Sequence, residues 1–243
     1  MEDLKEIHIW NVKYNLLSLE EIVSLVDKWI SSGRKGIHLT GANPETIAIA
    51  QEDPLQKEAI WASDIVNVDS YLPMKFLRWK GYNIKKRVPS PDVFEGLLQL
   101  ANQKHQKVYF LGARETTLTL LRKKVETNYP DINIVGMRNG YYQEDEIDEI
   151  TAHIAAQAPD YLFIALPSPN KEKFVLKYKN VLNTGCLYGV GGAFDAMAGV
   201  LKRPPAWLQE NGLEYWLRLI RNPRVYVKRM PLYFKFIKMA ILS

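Results

Sequence analysis

From Ser18 to Leu201, short apolar runs alternate with stretches whose apolar residues recur at helical spacing. The first helical stretch spans Ser18 to Ile30, with Leu19, Ile22, Val23, Leu25, Val26, Trp29 and Ile30 on one face. Ser18 and Glu21 form a capping-box pair at its start, and Gly33 ends it. A strand over 36–40 then empties into Gly41-Ala42-Asn43-Pro44, and one helix is predicted over 44–59. Strands follow at 65–68, 107–111, 132–137 and 161–166, with helices at 93–102, 116–129 and 144–156. A last apolar run through Leu187 and Tyr188 opens into Gly189, Gly191 and Gly192.

Such alternation is the mark of βαβ units. It predicts an α/β fold, a Rossmann-like and largely parallel sheet flanked by helices. The 243 residues, 47% of them hydrophobic, are enough to bury a sizeable core. Each strand ends in a loop rich in Gly, Pro, Asn or Asp, which is where open α/β sheets gather their ligands. After Trp207 the pattern changes to helical stretches dense in Arg, Trp, Tyr and Phe. A boundary near Lys202 therefore separates a body, residues 1–201, from a helical appendage, residues 202–243.

Charge sharpens that division. From Lys202 onward there are nine Lys or Arg against two acids, whereas the body carries 23 basic and 25 acidic residues. A basic, aromatic tail on a near-neutral body points to an anionic surface as its partner. Trp207, Tyr215, Trp216, Tyr226 and the apolar run Met230–Leu242 favour a membrane interface over nucleic acid. No segment reaches the roughly 18 apolar residues that a span requires, and the charged start Met1–Glu6 has no apolar leader. The expectation is a cytoplasmic protein that is peripheral on the inner face of the membrane. The single cysteine, Cys186, excludes an internal disulfide.

Glycines at a strand end let backbone N–H groups approach a phosphate, so Gly191 and Gly192 read as part of a nucleotide site. Asp69 ends the 65–68 strand, where a carboxylate either serves as a general base or caps the following helix, capping being the plainer reading. Asn43 can bind a ligand hydroxyl or simply make an Asn-Pro turn, and Thr40 can do the former or merely fill a strand. Arg87 closes the run Lys85–Arg87 beside the rigid Pro89-Ser90-Pro91-Asp92 turn, from which a guanidinium could address a diphosphate. Lys171 follows the stiff Pro167-Ser168-Pro169 loop and reads as a phosphate or sugar contact, or as a solvated lysine. The four histidines show no metal-ligand spacing, so no metal and no cofactor is expected. Dinucleotide, Walker and nucleophile-elbow motifs are absent.

One family accommodates these pieces. The block Gly189–Asp195, with Ala198-Gly199, Arg203–Trp207, Gly212–Trp216, Arg218-Leu219 and Pro223-Arg224, resembles the signature of the WecG/TagA/CpsF glycosyltransferases, family 26. Asn43-Pro44-Glu45, Arg87-Val88 with Asp92, Phe110-Leu111-Gly112 and Gly140-Tyr141-Tyr142 add support. The resemblance implies metal-independent, inverting transfer of a hexose or N-acetylhexosamine, N-acetylmannosamine among the candidates, from a UDP-sugar to a polyprenyl-diphosphate-linked acceptor in surface polysaccharide or teichoic acid synthesis. It casts Asp69 as the base and Arg87, with Arg218, Arg221 and Arg224, as stabilisers of the departing UDP. By the same resemblance Thr40, Asn43, Asp92, Gly112, Lys171, Glu172, Gly191, Gly192, Phe194 and Asp195 bind substrate. The appendage becomes a cover for the site and a membrane contact, and a homo-oligomer stays open.

The chain departs from the family pattern at three places. Ser70 follows Asp69 where glycine is usual, Thr40-Gly41-Ala42-Asn43 is one residue longer than T-x-N, and Lys171 replaces a glutamine. Two rivals stand beside this reading: an enzyme that modifies nucleotide sugars, such as an epimerase, and a non-catalytic UDP-sugar-binding subunit of a membrane assembly complex.

Overall fold

The computed structural model describes residues 6–202 and 204–243, so the Met1–Lys5 start and Arg203 of the signature block lie outside the described residues. The chain opens with a hairpin, β1 (Glu6–Ile9) and β2 (Val12–Asn15), which the apolar pattern did not announce. Its two-residue turn, Trp10-Asn11, has both φ angles at +55°, the turn that matches strand twist, but the usual Asn-Gly signal is missing. The hairpin lies against the sheet edge through Asn15, whose side-chain oxygen accepts the Val66 N–H at 2.8 Å.

The expected strands and helices then follow. They are α1 (Leu19–Ser31), β3 (Ile37–Ala42), β4 (Ile65–Val68), α5 (Ser90–Gln103), β5 (Lys107–Gly112), α6 (Glu115–Asn128), β6 (Asn133–Arg138), α7 (Ile147–Gln157), β7 (Tyr161–Ala165) and β8 (Cys186–Gly189). Ser18 and Glu21 close the capping box at the start of α1. The helix predicted over 44–59 is instead two, α2 (Pro44–Ala50) and α3 (Pro54–Trp61). Pro54 cannot continue a helix from Asp53, and Asp53 caps the second one by accepting from Leu55 and Gln56 N–H groups at 3.0 and 3.1 Å. Three short helices complete the body: α4 (Tyr71–Trp79), α8 (Asn170–Tyr178) and α9 (Ala193–Met197).

Six parallel strands form one sheet in the order β4-β3-β8-β7-β5-β6. The last strand in sequence, β8, thus lies near the centre, buried along its length. Cys186 is buried there, and its thiol is pushed far up by desolvation. On one face α1, α5, α6 and α9 pack over Ile37, Leu39, Phe110, Phe163 and Tyr188. On the other, α2, α4 and the hairpin make a second core with Val66 and Val68, and α7 and α8 a third with Leu111, Leu162 and Leu187.

Strand β3 runs into α2 on one face while its neighbour β8 runs into α9 on the other. Adjacent strands whose connections part in this way leave a crevice at their carboxyl ends, the usual ligand position of an open α/β sheet.

The segment beyond Lys202 is helical, with α10 (Ala206–Glu210), α11 (Glu214–Arg221) and the long α12 (Pro223–Leu242). Part of its apolar content is used within the chain. Phe236 and Ala240 are fully buried in the second core, with the Phe236 ring edge-on to Trp10 at 5.2 Å and to Phe76 at 5.9 Å. Arg229 pairs with Glu45 at 3.2 Å and Lys235 with Glu52 at 2.6 Å, fixing α12 along α2. Phe234, Ile241 and Leu242 of the same run stay exposed. No helix among the described residues is long and apolar enough to cross a membrane.

Candidate active site

Asp69 stands at the tip of β4, half-buried, where its N–H donates to the Ala42 carbonyl at 3.1 Å and prolongs the β3–β4 ladder. Its Oδ1 accepts the Ser90 N–H at 2.5 Å. The carboxylate is therefore steadied by the first turn of α5, whose unpaired N–H groups favour negative charge. It does not cap α4: Ser70 is that helix's N-cap and makes no side-chain cap bond. The plain capping reading fails for α4.

Space beside the carboxylate depends on Gly41. A Cβ there would stand 2.2 Å from Ser90 Oγ and 3.2 Å from Asp69 Cβ. The longer Thr40–Asn43 segment thus places a glycine where α5 and Asp69 converge. Tyr188 lies fully buried on the same face, its hydroxyl pushed far up by desolvation first and by the Asp69 charge second.

Arg87 joins this loop to the appendage. It donates from Nη1 to the Asp69 carbonyl at 3.2 Å, and from Nη2 to Gln209 Oε1 at 3.0 Å and Glu214 Oε2 at 3.3 Å. The other oxygen of Glu214 takes Arg218, whose guanidinium also reaches the Tyr226 hydroxyl at 3.5 Å. One carboxylate thereby bridges two arginines that are distant in sequence. Gly212, with φ at +72°, lets the α10–α11 turn close on α4, because a Cβ there would meet the Tyr71 ring at 2.3 Å. Arg221 donates to the Lys202 carbonyl at 3.2 Å, and Arg224 is exposed.

The glycine run ends β8 as expected. Gly191, with φ at +53°, and Gly192 have nothing within 4 Å of an added Cβ, so bare backbone faces open space there. Asp195 accepts from the Thr117 hydroxyl at 2.8 Å, which ties α9 to α6. Phe194 is fully buried between Phe94 and Phe110, so it supports the loop from beneath and does not line the opening. Gly112 ends β5 at a φ of +116°, where a Cβ would meet the Ala165 backbone at 2.6 Å. Asp92 lies in the first turn of α5.

Two other predicted residues have evident duties in the fold. Asn43 caps α2, its side-chain oxygen accepting from Glu45 and Thr46 N–H groups at 3.0 and 3.1 Å. Thr40 is buried two residues before the strand end, within 3.1 Å of both His38 Nε2 and Ser63 Oγ. Its hydroxyl belongs to a buried triplet with His38 and Ser63. His38, also touching Ser63, is held neutral, its pKa lowered to about 3 by desolvation and then by Lys179, Lys171 and Lys13.

Lys171 is not solvated. It is buried against Gly189, where a Cβ would meet its side chain at 3.0 Å, and it pairs with Glu172 and the Ser168 hydroxyl. Glu172 Oε2 is buried without a hydrogen-bond partner. Among the described residues no three His, Cys, Asp or Glu side chains gather as a metal site would need.

The structure therefore brings Asp69, Arg87, Arg218 and the open glycines to the carboxyl edge of the sheet, and Ser90, Gly41, Tyr188, Gln209 and Glu214 join them unannounced. Glu214 alone had a signal, as part of the Gly212–Trp216 block.

A profile of the glycosyl transferase WecG/TagA/CpsF family matches residues 7–243, from the hairpin to the end of α12. The chain belongs to this family. Two curated proteins resemble it over most of both chains. One, from Bacillus subtilis (strain 168), is 29% identical over 88% of this chain and 83% of its own. The other, from Bacillus spizizenii (strain ATCC 23059 / NRRL B-14472 / W23), is 31% identical over 84% and 79%. Both are named N-acetylglucosaminyldiphosphoundecaprenol N-acetyl-beta-D-mannosaminyltransferase. As a WecG/TagA/CpsF protein the chain is a glycosyltransferase, and the crevice described above is its candidate active site.

Proposed function

We propose that this protein moves a hexose or N-acetylhexosamine, N-acetylmannosamine first among them, from a UDP-sugar to a sugar carried on a polyprenyl diphosphate, with inversion. The observation that carries this reading is that Asp69, held to the α10–α11 segment through Arg87, and the bare glycine backbone after β8 lie at the same carboxyl edge of the sheet. The relatives' names supply the class of acceptor.

In this reading the acceptor hydroxyl attacks the anomeric carbon while Asp69 takes its proton, and the bond from that carbon to the UDP oxygen breaks with its electron pair leaving on UDP. Gly191 and Gly192 admit the diphosphate to backbone N–H groups. Arg87 and Arg218, which share Glu214 in this structure, meet the charge that develops on the leaving group, with Arg221 and Arg224 close in sequence. The appendage, residues 202–243, limits access of water, a competing acceptor. Its exposed Trp207, Trp216, Ile220, Val227 and Phe234, interspersed with Arg221, Arg224 and Lys228, suit the interface of an anionic membrane at which a lipid-linked acceptor waits.

A panel of UDP-sugars offered with a short-chain polyprenyl-diphosphate-linked N-acetylglucosamine tests the reading. It predicts a disaccharide product from a UDP-N-acetylhexosamine, with the anomeric configuration inverted by NMR coupling constants. Donor hydrolysis alone, or retained configuration, would contradict it.

A further inference from the structure

The body carries a basic, aromatic surface that the reaction does not use. Between Asp69 and Asp92 the chain has six cations, Lys75, Arg78, Lys80, Lys85, Lys86 and Arg87, and no acid. Arg87 belongs to the proposed active site, and Lys86 lies within electrostatic reach of Glu20. Arg78 is structural, donating to the Ile84 carbonyl at 2.7 Å and to the Lys85 carbonyl, which straps the loop after α4 onto that helix. Lys75, Lys80 and Lys85 remain on α4 and the loop after it, where Trp79, at the end of α4, is 65% exposed. Lys80 Nζ stands 5.4 Å from the Trp79 ring centroid, and Lys75 Nζ 5.9 Å from that of Tyr71.

Phe76 touches both Trp79, at 6.2 Å, and the α12 anchor Phe236, at 5.9 Å, so this surface adjoins the helix that holds the appendage in place. Resting on the membrane reading above, we propose that α4 is a second contact with an anionic bilayer, made by the body itself, with Trp79 at headgroup depth and Lys75, Lys80 and Lys85 on lipid phosphates. Tryptophan favours that depth, and clustered lysines without acids are drawn to an anionic leaflet. A purely apolar partner would leave the three ammonium groups uncompensated. Asp69 lies immediately before α4 and Trp79 ends it. Nine helical residues at 1.5 Å each make the helix a spacer of about 14 Å that holds the base at a fixed height above the lipid surface.

The test uses the full chain and vesicles of phosphatidylcholine with or without phosphatidylglycerol. Trp79→Glu with Lys80→Glu is expected to lower partition onto the anionic vesicles by roughly tenfold. Affinity for UDP and the melting temperature should stay unchanged, since both side chains lie at the surface. Trp216→Glu with Ile220→Glu in the appendage should lower partition separately. In the parent, brominated lipid should quench a component of fluorescence that Trp79→Phe removes. If the parent does not bind anionic vesicles, the membrane reading and this inference fall together. If the parent binds, and the appendage variant weakens binding while the α4 variant binds like the parent, the α4 contact alone is refuted.

Discussion

Gly41 shows how one missing side chain sets the geometry around Asp69, the proposed base. Its Cα lies where Ser90 and Asp69 close in, so even a methyl group would press on the Asp69 Cβ. Small displacements of a catalytic group cost up to about a hundredfold in rate. Gly41→Ala should therefore lower turnover by roughly tenfold or more with little change in UDP affinity. Because the nearest obstacle is the Ser90 hydroxyl, Ser90→Ala should restore part of that loss, and steady-state kinetics on the single and double variants would show whether it does. His38 makes a prediction about stability. Folded, it resists protonation until about pH 3, whereas unfolded it accepts a proton near pH 6.5. The unfolded state then binds more protons across that window, so stability is full above about pH 6.5 and falls as the pH drops through it. At pH 5 the loss from this group is on the order of 2 kcal/mol. Urea denaturation at pH 7.5 and 5 should register it, and His38→Gln should flatten the difference.

At the scale of elements, the six strands of the main sheet were readable because each is an apolar run that stops near Gly, Pro, Asn or Asp, and α1, α5, α6 and α7 because their buried faces repeat at 3.6 residues. The positions of Asp69, Gly191 and Gly192 at strand ends were readable for the same reason. What escaped depends on contacts between distant residues or on unusual backbone. The Trp10-Asn11 turn takes left-handed φ values without glycine. The split between α2 and α3 had its signal in Asp53-Pro54, outweighed by the apolar repeat around it. Nothing local announces that Thr40 would bond His38 and Ser63, or that Arg87, in the loop before α5, would meet Glu214 at the start of α11. Residues Arg87 and Glu214 are mostly shielded, with side-chain exposures of 14% and 22%, so their pairing should exceed the small value of a surface ion pair. Glu214→Gln should loosen α10 and α11, seen as faster hydrogen exchange over 206–221. It should also lower transfer by roughly tenfold, an effect of about 1.4 kcal/mol, and raise the share of donor lost to water.

For the whole molecule, the sheet order explains where the parts meet. Strand β8 enters between β3 and β7, so the glycine run emerges beside the ends of those two strands, with β3 between it and the Asp69 end of β4, and α12 returns across α2 to bring the α10–α11 turn over Tyr71. Asp69, the bare glycine backbone and the cationic α10–α11 turn, drawn from early and late parts of the chain, thus share the carboxyl edge of the sheet, and the match to the WecG/TagA/CpsF family runs through all of them. The account turns on Asp69 as the group that accepts the proton. Asp69→Asn keeps the shape of the side chain and an oxygen to accept the Ser90 N–H while removing the basic charge. Single-turnover transfer and calorimetric UDP affinity, measured on the same preparation, separate its roles. A loss of transfer by about a thousandfold or more with UDP affinity within about threefold of the parent is the predicted result. Weakened UDP binding with turnover preserved would contradict it and make Asp69 a binding residue.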